Sequence, residues 1–65
     1  MTDTERLLNA LRLCEQSLQI AQKHSIDLAN LADVYPVLVR GLTINIGEAI
    51  GQCAELIRLI AADNE

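Results

Sequence analysis

The residues of this 65-residue chain that could do chemistry are few and scattered along it. Nucleophilic catalysis would need a base beside Cys14, Cys53 or a serine, but His24 has no nucleophile at a helical spacing. A metal site would need several converging His, Cys or acidic groups, whereas Cys14, Cys53 and His24 lie on separate turns. The three glycines are spread out and form no phosphate-binding loop. We therefore expect no enzyme, no metal site and no cofactor.

The charge balance argues against the partners that bulk charge would attract. The formal net charge is −4, whereas nucleic acids and anionic membranes bind proteins with a positively charged surface. The first residues, MTDTERLL, lack the basic start and apolar core of a signal peptide. The most apolar stretch, 42–62, has polar residues on every turn of one face, as in an amphipathic helix. We therefore expect a cytoplasmic protein with no membrane segment.

Small aliphatic side chains recur at alternating spacings of three and four residues through both halves of the chain, as on one stripe of a helix. The members are Leu7, Leu11, Cys14, Leu18 and Ala21 in the first half and Ala32, Tyr35, Val39, Leu42, Ile46, Ala49, Cys53, Leu56 and Ile60 in the second. The pattern predicts an all-α fold, an antiparallel hairpin of two long helices in one domain, 1–65. A hairpin that turns near positions 31 and 32 would place Leu11 opposite Cys53 and Leu18 opposite Ile46.

Local signals predict the helix ends. Thr2 and Glu5 form a capping box, which predicts that helix 1 begins near residue 3. Helix 1 ends either near residue 24 or near residue 29; Leu28 continues the stripe and favours the second, although Ser25 interrupts it. A turn over about 30–33 follows, with Asp33 as N-cap and Pro36 in the first turn of helix 2, over about 34–62.

The two cysteines both fall on the predicted stripes. Free cysteine is often buried, so Cys14 and Cys53 are expected to be buried, reduced thiols that react slowly. In the register above, an offset of about four residues, or about 6 Å of helix rise, separates them. No internal disulfide is therefore expected.

The apolar surface is wider than one hairpin needs. Large aliphatic residues outside the stripes, such as Leu13, Ile20 and Leu38, would remain in water unless a partner covered them. Two-fold association into a four-helix bundle would cover them, although a different protein could do the same. Gly47 and Gly51 lie four residues apart, which suits a close helix crossing or, alternatively, marks a locally weak helix. The candidate oligomer interface comprises Gly47, Gly51, Ala54, Ile44, Ile50 and Ile57.

A polar stripe on helix 1 gives an alternative function. Its members are spaced along one face and combine amides with two positive charges that could bind phosphates or exposed RNA bases: Asn9, Arg12, Gln16, Gln19 and Lys23. In layout the chain resembles the plasmid-encoded Rop family, whose members are dimeric, acidic helical hairpins with a polar-basic face on the first helix. That resemblance implies a dimeric RNA-binding regulator.

Two functions are therefore expected as alternatives. The first is a small non-enzymatic protein-interaction module (adaptor, inhibitor or accessory regulator) that acts as a homodimer and has an unidentified protein partner. The second is the Rop-like RNA-binding regulator, which uses the polar stripe of helix 1.

Overall fold

The computed structural model describes residues 2–31 and 35–63, which form two antiparallel helices packed against each other. Helix α1 is Asp3–Leu31 and helix α2 is Pro36–Asp63. The molecule measures 48 × 17 × 11 Å, so it is long and flat. The predicted all-α hairpin is confirmed.

The start of α1 follows the predicted capping signal. The Glu5 amide donates a hydrogen bond to Thr2 Oγ1 over 3.1 Å, and the Arg6 amide donates to the Thr2 carbonyl over 3.0 Å. The first bond satisfies a backbone donor that the first turn of a helix leaves without an intrahelical partner, and the second is the first backbone hydrogen bond of the helix itself. At its other end α1 continues through Ser25 to Leu31, past both of the ends that we considered.

Helix α2 begins at Pro36, two residues later than predicted. Pro36 is the first helical residue, where its missing amide costs no intrahelical bond. Tyr35 precedes it in a left-handed conformation with a φ of 57°, and its carbonyl accepts from the Val39 amide over 3.1 Å. Tyr35 is also exposed, so its predicted place on the buried stripe was wrong. The predicted N-cap Asp33, the stripe residue Ala32 and the predicted helix start at Val34 lie outside the described residues.

One hydrogen-bonded pair shows the register of the two helices. Thr43 Oγ1 lies 3.1 Å from Ser25 Oγ and 3.1 Å from the Val39 carbonyl, and its single proton can go to either acceptor. Ser25 Oγ in turn donates to the Gln22 carbonyl over 2.7 Å. Ser25 is 4% exposed and is the only described residue that is buried. Among the described residues, the one that seemed to interrupt the stripe is therefore the most buried.

From this pair the contact between the helices runs along half-buried positions three and four residues apart, which we call the seam. It comprises Thr4, Leu8, Leu11, Glu15, Leu18, Gln22 and Ser25 on α1, and Val39, Thr43, Ile46, Ile50, Cys53, Ile57 and Ile60 on α2. Stepping along both helices from Ser25 and Thr43 places Leu18 opposite Ile50 and Leu11 opposite Ile57. The predicted partners, Ile46 and Cys53, are each displaced by four residues.

The predicted stripes and the seam share only part of their members. Val39, Ile46, Cys53 and Ile60 lie in the seam as predicted, but Leu42 and Leu56 are 46% and 47% exposed. On α1, Leu7 and Cys14 are likewise exposed, so the prediction that Cys14 is buried was wrong for the single hairpin. Both α1 and α2 have two neighbouring apolar lines with the same spacing. Periodicity alone does not tell which line faces the other helix.

Candidate interaction surfaces

Six leucines that do not enter the seam lie together on one side of the hairpin. Leu7, Leu42 and Leu56 each come one residue before a seam position, and such positions share one side of an antiparallel pair of helices. On α2, Leu38 and Leu59 lie within four residues of Leu42 and Leu56. On α1, Leu28 lies three heptads from Leu7. We call this set the leucine face: Leu7, Leu28, Leu38, Leu42, Leu56 and Leu59, with exposures from 44% to 70%.

The leucine face has no charged side chain along most of its length. The other members of the same helical lines between its ends are small or neutral: Ala10, Cys14, Ser17, Ala21, Asn45, Ala49 and Gln52. The ionisable members other than Cys14 are His24 near the loop and, at the opposite end, Asp3 and Asp63. An apolar surface of this extent with charges only near its ends is typical of a protein-protein contact.

The predicted oligomer interface is divided by the structure. Ile50 and Ile57 lie in the seam and are half-buried against α1 of the same chain. A Cβ atom added to Gly47 would lie 3.4 Å from Gln22 Nε2, so this glycine also faces its own α1. Ile44, Gly51 and Ala54 are exposed on the side opposite the leucine face.

Gly51 faces open space. A Cβ atom added there would meet no atom within 4 Å, and the same holds for Gly41. Within a single chain, neither glycine is needed for a close approach of two backbones. The prediction that Gly51 lines a close crossing therefore depends on a second molecule.

The five residues of the predicted polar stripe, which we call the polar face, are all exposed: Asn9, Arg12, Gln16, Gln19 and Lys23. The polar face lies on the same side of the hairpin as Gly51, away from the leucine face. Arg40 and Arg58 of α2 each follow a seam residue and add two cations to that side, of which Arg58 is paired with Glu55. The sequence analysis missed Arg40 because only the register shows which residues of α2 lie next to α1.

An ion pair lies on the outer surface of α2. Glu55 Oε1 and Oε2 accept from Arg58 Nη2 and Nε over 2.5 and 3.1 Å. The hydrogen bond from Arg58, more than its charge, lowers the pKa of the Glu55 carboxyl, and the same hydrogen bond raises the pKa of Arg58. Both side chains are more than half exposed, so the pair is a surface contact that contributes little to stability.

The described residues show little that points to a small ligand. A groove of about 270 Å³ near the loop is lined by Ala29, Pro36, Val39, Arg40 and Thr43. Among the described residues, His24, the cysteines and the acids nowhere form a group of three that could hold a metal. Cys14 and Cys53 are both free thiols. Neither described helix contains a stretch that is long and apolar enough to cross a membrane.

Comparisons with protein-family models, with curated proteins and with solved structures find no match to this chain. The resemblance to the Rop family therefore concerns the layout of the hairpin and its polar face.

Proposed function

We propose that this chain is a small non-enzymatic interaction module that acts as a homodimer, joined through the leucine face into a four-helix bundle. It would act in the cytoplasm, where free thiols such as Cys14 and Cys53 stay reduced. As an adaptor, inhibitor or accessory regulator it would bind a second protein through surfaces that the dimer leaves open.

The observation that supports this proposal is the absence of a buried apolar core. No hydrophobic side chain among residues 2–30 and 35–63 is buried, although half of the sequence is apolar. A single hairpin therefore leaves most of its hydrophobic stabilisation unused, and a domain of this size is already marginal.

The accessible surface of the single chain is large enough for such a contact. The chain exposes 5100 Å², and its radius of gyration is 15.0 Å. A compact monomer of the same mass would expose about 4,100 Å² and have a radius near 11 Å. The excess, roughly 1,000 Å², is close to the 800 Å² or so that each partner buries in a stable interface.

Light scattering at micromolar concentration tests the proposal. We expect about twice the chain mass of 7.1 kDa for the native protein and the monomer mass for a Leu42→Glu, Leu56→Glu variant. Ile44→Glu is the matched control, because Ile44 is equally apolar and 53% exposed but lies on the other side of the hairpin. It should remain dimeric, and circular dichroism should show that all the variants stay helical.

A monomeric native protein would overturn the proposal. Dissociation by Ile44→Glu with retention of the dimer in the leucine variant would place the interface on the side of Gly51, as the sequence analysis predicted.

The position of the polar face favours a second candidate function, RNA binding. It is opposite the leucine face, so a dimer joined by the leucines would present two polar faces to solvent, each with Arg12, Lys23 and Arg40. Retention on an RNA or heparin column at low salt, reduced in an Arg12→Ala, Lys23→Ala variant, would support it. An interaction module without this function should flow through.

A further inference from the structure

The contact between the two helices opens into a groove at its loop end. Beyond Ser25 the next position on the α1 line of the seam is Ala29, whose side chain is a single methyl group. On α2 the seam line beyond Val39 comes to the compact ring of Pro36. These small side chains leave space between the helices. The groove has a volume of about 270 Å³, and its described lining consists of Ala29, Pro36, Val39, Arg40 and Thr43.

The described lining of the groove is apolar apart from one hydroxyl and one cation. The Thr43 hydroxyl gives its proton to Ser25 Oγ or to the Val39 carbonyl, so it has no donor left for a ligand. The cation is Arg40, whose side chain is exposed. In the part of the chain that the structure describes, no carboxylate forms an ion pair with Arg40. The groove therefore offers one positive charge at the edge of an apolar surface.

The size of the groove excludes a second helix as its occupant. Sites for drug-sized ligands enclose about 300–1,000 Å³, so this groove suits a smaller molecule. A helix with its side chains is about 10 Å wide and would lie across the groove without entering it. A flexible aliphatic chain, by contrast, can lie against the methyl, ring and isopropyl groups of the lining and leave water.

The charge of the groove selects the polar group of the ligand. The planar guanidinium of arginine pairs with a carboxylate through two parallel hydrogen bonds. One guanidinium balances one carboxylate, whereas a doubly charged phosphate would keep a net negative charge beside an apolar surface.

We propose that this groove binds a small aliphatic carboxylate, whose chain lies along the apolar lining and whose carboxylate accepts hydrogen bonds from Arg40. Arg40 lies on the side of the hairpin opposite the leucine face, so a dimer joined through the leucines would leave this edge of the groove open. The site goes beyond the proposed homodimer and does not depend on it.

An NMR titration of the isotope-labelled full chain tests the site. Sodium octanoate is added at millimolar concentration, with octanol as the uncharged ligand of the same length and acetate as the charge without the chain. Octanoate should shift the amide signals of Ala29, Val39, Arg40 and Thr43 in a saturable way. Octanol and acetate should each bind at least several-fold more weakly, because each lacks one of the two contacts.

Two substitutions separate the charge from the shape of the groove. Arg40→Gln removes the cation and should weaken octanoate binding several-fold, to the level of octanol. Arg6→Gln is the matched control, because Arg6 is an exposed arginine at the other end of the hairpin, and it should leave the affinity unchanged. Ala29→Phe should fill the groove and abolish binding, and circular dichroism shows whether each variant stays helical.

Each other outcome overturns the proposal. Equal binding of octanol and octanoate, or an unchanged affinity in Arg40→Gln, would remove the carboxylate contact. Shifts centred on Leu42 and Leu56, or full affinity in a helical Ala29→Phe variant, would show that octanoate binds outside the groove. An absence of shifts would remove the site altogether. None of these results changes the mass measured by light scattering, so the homodimer is tested separately.

Discussion

Substitution of the helical glycines tests which side of the hairpin makes no contact with a second molecule. Gly51 is exposed within α2, and a Cβ atom there meets nothing within 4 Å. Gly51→Ala therefore adds helix propensity without steric cost. The gain should approach 1 kcal/mol in the free energy of unfolding, which corresponds to about 4–8 °C in melting temperature for a domain of this size.

Gly47 is the internal comparison. Its added Cβ would lie 3.4 Å from Gln22 Nε2, at the edge of ordinary contact with the end of a flexible side chain. The amide of Gln22 must shift slightly, so the gain from Gly47→Ala should be clearly smaller than that from Gly51→Ala.

Thermal melts followed by circular dichroism at 222 nm measure both effects. All variants are compared at one protein concentration, because the melting temperature of a dimer depends on concentration. A second substitution, Gly51→Leu, places a large side chain at the same position and should leave the mass unchanged.

A lower melting temperature for Gly51→Ala would refute this reasoning, since it would mean that an atom outside the single chain occupies the space beside Gly51. If Gly51→Leu were also monomeric, the dimer would be joined on the glycine side, and the assignment of the leucine face would be wrong.

Two further predictions concern the cap and the register. Thr2→Ala removes the acceptor of the Glu5 amide and should lower the free energy of unfolding by about 1 kcal/mol, measured by urea titration; no change would show that water replaces the cap. With the native cysteines replaced, Ser25→Cys with Thr43→Cys should oxidise to an intramolecular disulfide, because the two side chains touch across the seam. The control, Ser25→Cys with Leu38→Cys, reproduces the sequence-predicted register and should stay reduced; the opposite result would restore that register.

The sequence alone determined the elements of this protein. Two long runs of helix-forming residues with three-and-four spacing predict two helices, and the Thr2 cap places the start of α1 correctly. These signals depend on residues within a turn or two of each other, so they can be recognised in the sequence without knowledge of the tertiary structure. For the same reason the sequence placed Val39, Ile46, Cys53 and Ile60 on the line that faces α1.

The tertiary structure decided the register and the side of each helix that is covered. The register differs from the predicted one by four residues. It depends on where the chain turns and on the packing of the whole seam, and no local sequence pattern reports either. Ser25 illustrates this: by itself it is a polar interruption, but opposite Thr43 its hydroxyl finds partners and becomes the most buried group described. Leu42 and Leu56 illustrate the converse. Their side chains are apolar enough to be buried, but they are exposed because the neighbouring line of residues forms the seam.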